Sequence, residues 1–519
     1  MALMRDCFLL PLIAVGTLTA QLLQASTEHE HEISKNSGYG ILSSQTSPRV
    51  VIVGQTTMVR FEFIMNPGSY SGTPVLVLAN GTRMSTNDAG NNGDVTAGDG
   101  IFSVNVPLSS MGTIKPSDTA YRADVGSLEV TEGSGVSKYN VFMNVMDESI
   151  PNVPVKTLNS TTQQSAHLLN LVSPNQLAYV RQFKSTSGGT ATQELTTLVA
   201  SALPLEQYDM LFASYDRNHF DNSFYQVINN NIGGIGKSPT NLSGFNAGTR
   251  LMGLMMIGSP LRFDGADIQF THEFGHHWMS GLTLNSALSD GRPHWPYSSM
   301  GSGVMGVSIA GSGAGGTFFC EGSFNAAGTA VTLNGTTLST SKFNLYNPLD
   351  LYLMGLMPAS QVPDQIIYDS ADMKACKPGT YTSGYTRLKV QDVINFHGPR
   401  TPAYGQAPSN FKVASVIVSS QLLTAREMAY FDLMARRASW RFNTISKTGF
   451  VTEKAAPFYQ ATGGRGTLDT VMDASLVSHE VLTVTEFYNT ALKRYFYTAD
   501  PAETAYLKAT PATGEAATG

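Results

Sequence analysis

Asp267-Ile-Gln-Phe-Thr-His-Glu-Phe-Gly-His-His-Trp-Met-Ser-Gly-Leu282 is the stretch on which the reading of this chain turns. It places His272, Glu273 and His276 in the HExxH spacing. On a helix, residues four apart share a face, so the two imidazoles reach one ion while the glutamate between them points towards the ion's open position. Phe270, Phe274 and Trp278 recur at the same interval on another face, which predicts a helix with a buried back. Asp264 and Asp267 stand where its N-terminus needs a cap. His277 and Trp278 follow His276 at about a hundred degrees per step, which turns them away from the ion and into packing. The plainer alternative is a helix whose two histidines merely face solvent or a polar pocket. The aromatic stripe is compatible with that too, since it reports only burial of the opposite side.

Neutral imidazoles and an open position suit zinc, which brings the pKa of a bound water from near 15.7 to about 7. Glu273 is then the expected general base, taking the water's proton during attack on a carbonyl and passing it to the leaving group. A third ligand is still needed. Upstream, Thr249-Arg-Leu-Met-Gly-Leu-Met-Met-Ile257 reads as a buried strand running towards the metal helix.

The stretch 249–306 resembles the leishmanolysin-like branch of the metzincins, in which a third His followed by Trp precedes a Met-turn beneath the zinc. The match implies that His294, followed by Trp295, is the third ligand and that Met305, in Val304-Met-Gly306, is the Met-turn residue. Metzincins place Gly three positions after the second His, where this chain has Met279, and leishmanolysins carry a longer insert before their third His. Gly281 is the residue left to supply the turn. Another segment, Asn347-Pro-Leu-Asp-Leu-Tyr-Leu-Met-Gly-Leu-Met-Pro358, looks like the Asp-plus-Tyr arrangement of aspzincins, which makes Asp350 the alternative third ligand. It also resembles a segment of secreted bacterial HExxH proteins of unassigned specificity. In the plainer reading Asp350 caps a helix whose Leu351, Met354 and Leu356 are core. Glu321 is a further candidate ligand, and Tyr352 or Tyr297 a candidate to stabilise an oxyanion.

Outside this region the chain supports several domains, since 519 residues exceed one ordinary core. Residues 1–25, with Arg5 ahead of an apolar run, read as a signal peptide. No later stretch is long and apolar enough for a spanning helix. Charged residues are only 14% of the chain, as in exported proteins that rely on uncharged polar surface. The net charge is −6, with no basic block to neutralise phosphates, so nucleic acid is not an expected partner. Cys7 would leave with the signal, and Cys320 and Cys376 are expected to form a disulfide in an oxidising compartment.

Residues 26–150 alternate apolar and polar positions, as in Val59-Arg-Phe-Glu-Phe-Ile64, between Gly/Asn/Pro clusters, and predict an antiparallel sandwich. Within it, Asp88, Asn92, Asp94 and Asp99 have spacings loosely like a calcium loop. A turn held by Asx hydrogen bonds is the simpler reading. Pro151 to Pro154 reads as a linker. In 155–480 helices and strands mix: 195–203 and 422–442 as helices, 208–213 as a buried strand and 302–316 as a Gly/Ser-rich loop. Residues 481–519 resemble the start of a repeat module of secreted bacterial hydrolases.

The expected fold class is therefore multidomain, an N-terminal all-β sandwich followed by an α+β zincin-like metallopeptidase domain. The resemblance implies a secreted zinc endopeptidase acting on protein or peptide substrates. The rival from another class is a non-catalytic surface-binding protein or adhesin on a degenerate peptidase fold, against which Glu273 speaks, because such a fold has little need of a base between two ligands. Hydrolysis of a non-peptide bond is compatible with the same residues.

Overall fold

In the computed structural model the described residues are 40–112, 120–148, 150–173, 189–218, 223–279, 281–284, 288, 294–301, 303–306, 319–337, 345–441, 457–477, 485–489, 494–498 and 515–517. Residues 1–25, and with them the expected signal peptide, lie outside this set, as do most of the stretch just before His294 and most of the expected loop 302–316. The molecule is mixed and sheet-rich, with few helices.

Alternation in the first region produces eight strands: β1 (Ile41–Ser47), β2 (Val50–Ile52), β3 (Met58–Met65), β4 (Ser71–Leu78), β5 (Arg83–Ser85), β6 (Ile101–Pro107), β7 (Ala120–Glu132) and β8 (Gly135–Met146). They form a sheet of order β1-β3-β6 and another of order β2-β8-β7-β4-β5. Inward residues of both, including Val59, Phe61, Phe63, Leu76, Leu128 and Val141, share one core. That is the two-sheet sandwich expected from the sequence, except that β2 runs parallel to β8 where antiparallel pairing was expected.

After the extended 151–155 segment comes a larger sheet: β9 (Lys156–Asn159), β10 (Thr162–Gln164), β11 (Leu169–Val172), β12 (Met210–Tyr215), β13 (Phe224–Val227), β14 (Gly253–Ile257), β15 (Asn410–Ser419) and β16 (Thr467–Asp469). Its order is β13-β14-β12-β15-β11-β10-β9, with β16 also paired to β15. The centre is parallel, β12 pairing in parallel with both β14 and β15, whereas β13 runs antiparallel to β14. Every residue of β12 is buried, as a parallel strand covered on both faces requires. Met210 and Phe212 face one core and Leu211, Ala213 and Tyr215 the other. Helix α1 (Gly189–Ala200) supplies Leu195 and Val199 to the second core. Helix α2 (Ile268–Gly275), reached from β14 through a turn at Pro260–Arg262, packs into the first.

Boundaries differ from the sequence reading where capping decides them. Helix α3 (Pro348–Met354) is followed later in the chain by the helix expected at 422–442, which is α4 (Ala425–Arg436). It starts at Ala425 because Thr424 and Glu427 form a capping box. Cys320 and Cys376 are bonded to each other, and the disulfide is buried in a small core with Val331, Leu333, Ile366 and Tyr368. Near the C-terminus Thr485–Asn489, Arg494–Thr498 and Glu515–Ala517 form a three-stranded sheet. Among the described residues, no helix is long and apolar enough to cross a membrane.

Candidate metal centre

The helix that carries the centre is fixed at both ends. Asp267 caps α2, its side chain accepting from Gln269 N at 2.8 Å. Beyond Gly275 the helix continues as tight turns, with Trp278 N and Met279 N donating to Gly275 O at 3.0 and 3.2 Å. Lys237 Nζ donates to His276 O at 2.6 Å, a neutralising contact at the carbonyl end of the helix. The aromatic stripe does what its spacing predicts. Phe270, Phe274 and Trp278 are buried, Phe270 edge-on to Phe212 at 4.8 Å, Phe274 against Phe458 at 4.8 Å and Trp278 against Phe411 at 5.4 Å.

The opposite face brings His272 and His276 together with His294, one nitrogen of each lying within 4.8 Å of the others. His272 Nε2 stands 3.1 Å from His276 Nε2 and 2.9 Å from His294 Nε2. His272 Nδ1 lies 2.7 Å from Val304 O, an acceptor only, so Nδ1 carries the hydrogen and Nε2 presents a lone pair. One lone pair cannot serve two donors well, whereas three such nitrogens converging on a common point are the donor set of a His-ligated divalent ion. The trio therefore can hold a metal ion, and a set of imidazoles suits divalent transition ions, zinc among them.

Glu273, between the two helical histidines, is 4% exposed, and Gln269 Nε2 donates to its Oε1 at 3.3 Å. Burial pushes its carboxyl up to about 8, the Gln269 hydrogen bond opposing. His277 turns the other way and is buried, with Nδ1 2.7 Å from Tyr225 Oη on β13. Burial, with the positive charges of Lys237 and Arg400, pushes it down to about 3, so it packs as a neutral ring.

Met305 lies under α2. A Cβ on Gly275 would come within 2.4 Å of Met305 Sδ and 3.0 Å of the Tyr346 ring, so any side chain at this position requires Met305 to shift. Tyr346 Oη donates to Thr271 O, and Val304, next to Met305, holds His272. Met305, the residue named by the resemblance, thus packs against the helix that carries two of the histidines.

Asp350 is not part of the trio. It is fully buried in the first turn of α3, Oδ2 accepting from Asn347 N at 2.9 Å and Oδ1 from Trp295 Nε1 at 2.6 Å. The helix-cap reading of Asp350 holds and both its oxygens are engaged. Tyr352 Oη accepts from Arg400 N at 3.2 Å, and the Tyr297 ring packs on the disulfide core. The side chain of Glu321 lies outside the described residues. Gly281 does not take a left-handed conformation. It is a close-approach glycine, where a Cβ would come within 2.7 Å of Ile235 O.

In the sandwich, Asp88, Asp94 and Asp99 each have an oxygen within 4.8 Å of the others. Asp88 accepts from the amides of Gly98, Asp99 and Gly100, Asp94 from Gly90 N, and Asn92 sits at φ 49°. Asx turns of the simpler reading occur at Asn87, which accepts from Ala89 N, and at Asp99, which accepts from Ile101 N, and the three carboxylates could also hold a metal ion. Sequence reasoning missed Tyr346, Lys237 and Gln269 as supports of the centre. Only Gln269, four residues before Glu273, carried a local signal. Compared with known proteins, the chain matches no family model, and neither a curated protein nor a solved structure is significantly similar to it.

Proposed function

We propose that this protein is a secreted zinc-dependent endopeptidase of the zincin type, with His272, His276 and His294 as zinc ligands and Glu273 as general base. One observation carries the reading: three imidazole nitrogens converge within 4.8 Å beside a helix whose intervening residue is a buried glutamate. Zinc held by such a set supplies a Lewis acid and makes water nucleophilic near neutral pH. The chain's residues do the rest. His272 is held in one tautomer by Val304 O, and Met305 and Tyr346 press α2 into place. Glu273, made basic by burial, accepts a proton from water at its carboxylate and returns it to the leaving amine. A cation beside it works against burial and favours the charged form. The resemblance of 249–306 to leishmanolysin-like peptidases makes the peptide bond the substrate class, and the Cys320–Cys376 disulfide supports export.

The test is metal content measured beside casein cleavage. Purified protein is expected to carry one zinc per chain, a chelator to abolish cleavage, and zinc to restore it. Chelator-resistant cleavage, or a folded His294→Ala variant that keeps its zinc under limiting free metal, would overturn the assignment.

A further inference from the structure

We infer that Asp350 is a positioning residue for the third histidine, holding His294 at the metal centre through the indole of Trp295. This rests on the reading that the His trio binds a metal. His272 and His276 are fixed by the hydrogen bonds of α2 and its terminal turns, whereas His294 belongs to no helix or strand. A ligand on such a segment is placed only as well as its neighbours are. Its next neighbour, Trp295, is 2% exposed, and its backbone link to the Met305 turn is long, Trp295 N to Met305 O being 3.5 Å. The short contact is at the other end of the side chain, where Nε1 donates to Asp350 Oδ1 at 2.6 Å.

Asp350 is itself immobilised. It is fully buried and its second oxygen takes the Asn347 amide at the start of α3. The result is a continuous path from α3 through Asp350 and Trp295 to His294. A short hydrogen bond to a fixed, buried carboxyl oxygen has a strongly preferred direction. A Phe and Leu pair would fill the same space without burying a carboxyl group, so the polar pair contributes orientation more than stability. The residue that resembled a ligand thus acts one residue away from one.

The test compares zinc affinity, by competition with a chromophoric chelator, and the visible spectrum of the cobalt-substituted protein, which reports ligand geometry. Trp295→Phe and Asp350→Asn are expected to bind zinc about 10–100-fold more weakly than wild type, with shifted cobalt bands. Asn347→Ala, which weakens the cap of the same helix but leaves the Trp295 contact, is expected to lower the melting temperature while keeping affinity and spectrum. Should Trp295→Phe fail to fold, the double variant Trp295→Phe/Asp350→Leu leaves no unpaired charge and is read by the same criteria. A folded Trp295→Phe, or that double variant, with wild-type affinity and spectrum would overturn the inference. So would an Asn347→Ala protein that loses as much affinity as Asp350→Asn. Failure of the wild type to bind zinc would instead remove the metal-centre reading itself, and this inference with it.

Discussion

Glu273 and Asp350 are both buried carboxylates, and what faces each of them separates their roles. Glu273 has the Gln269 amide at 3.3 Å and sits between two metal-ligand candidates, while Asp350 has both oxygens engaged by Trp295 and Asn347. Burial raises Asp350 from 3.8 to about 7, the two hydrogen bonds opposing. The folded state then holds this proton more tightly than the unfolded chain. The group's contribution to stability is therefore greatest below pH 3.8 and is lost as pH rises towards about 7. In metal-free protein, the melting temperature of Asp350→Asn is expected to fall less than that of wild type across this window. Parallel curves would contradict the burial argument. At this scale the sequence was legible where chemistry is local: the HExxH spacing alone marked two of the three converging histidines and the buried glutamate between them. It could not decide between His294 and Asp350, because His294 lies 22 positions from His272 and Asp350 further still, and only the fold determines which one returns.

Helix α2 shows how an element's two faces are written separately. The apolar stripe Phe270, Phe274 and Trp278 predicted burial correctly, and Asp267 predicted its start. Gly275 carried information that periodicity cannot express, since its lack of a side chain matters only because Met305 and Tyr346 arrive from elsewhere in the chain. Gly275→Ala is expected to destabilise the protein by about 1–3 kcal/mol through overpacking, despite alanine's better helix propensity. Chemical denaturation measures it, and a stabilised variant would show that Met305 yields freely. The central sheet was similarly half legible. Continuous apolar runs marked β12 and β14 as buried strands, but the parallel pairing of β12 with β15, about 200 residues later, has no local signature.

Across the whole molecule, the sandwich is joined to the larger sheet by more than the 151–154 segment. Arg49 contacts Asp216 and Glu427, with side chains 8%, 0% and 3% exposed, and Tyr430 Oη donates to Asn144 Oδ1 at 3.0 Å. Val50 and Met146 of the sandwich enter the same core as α2. A linker was legible in the sequence, but this junction was not, because its charges lie far apart along the chain. Arg49→Met removes the cation shared by two buried carboxylates and is expected to cost about 3–5 kcal/mol. Calorimetry of the wild type is expected to show these two regions melting together, and a separate sandwich transition would contradict the shared core. If this assembly serves one hydrolytic site, Glu273→Gln separates metal binding from turnover, read as zinc content and casein cleavage on the same sample. Wild-type zinc with turnover reduced by about 10²–10⁴-fold is expected. Unchanged turnover in a zinc-loaded variant would contradict it.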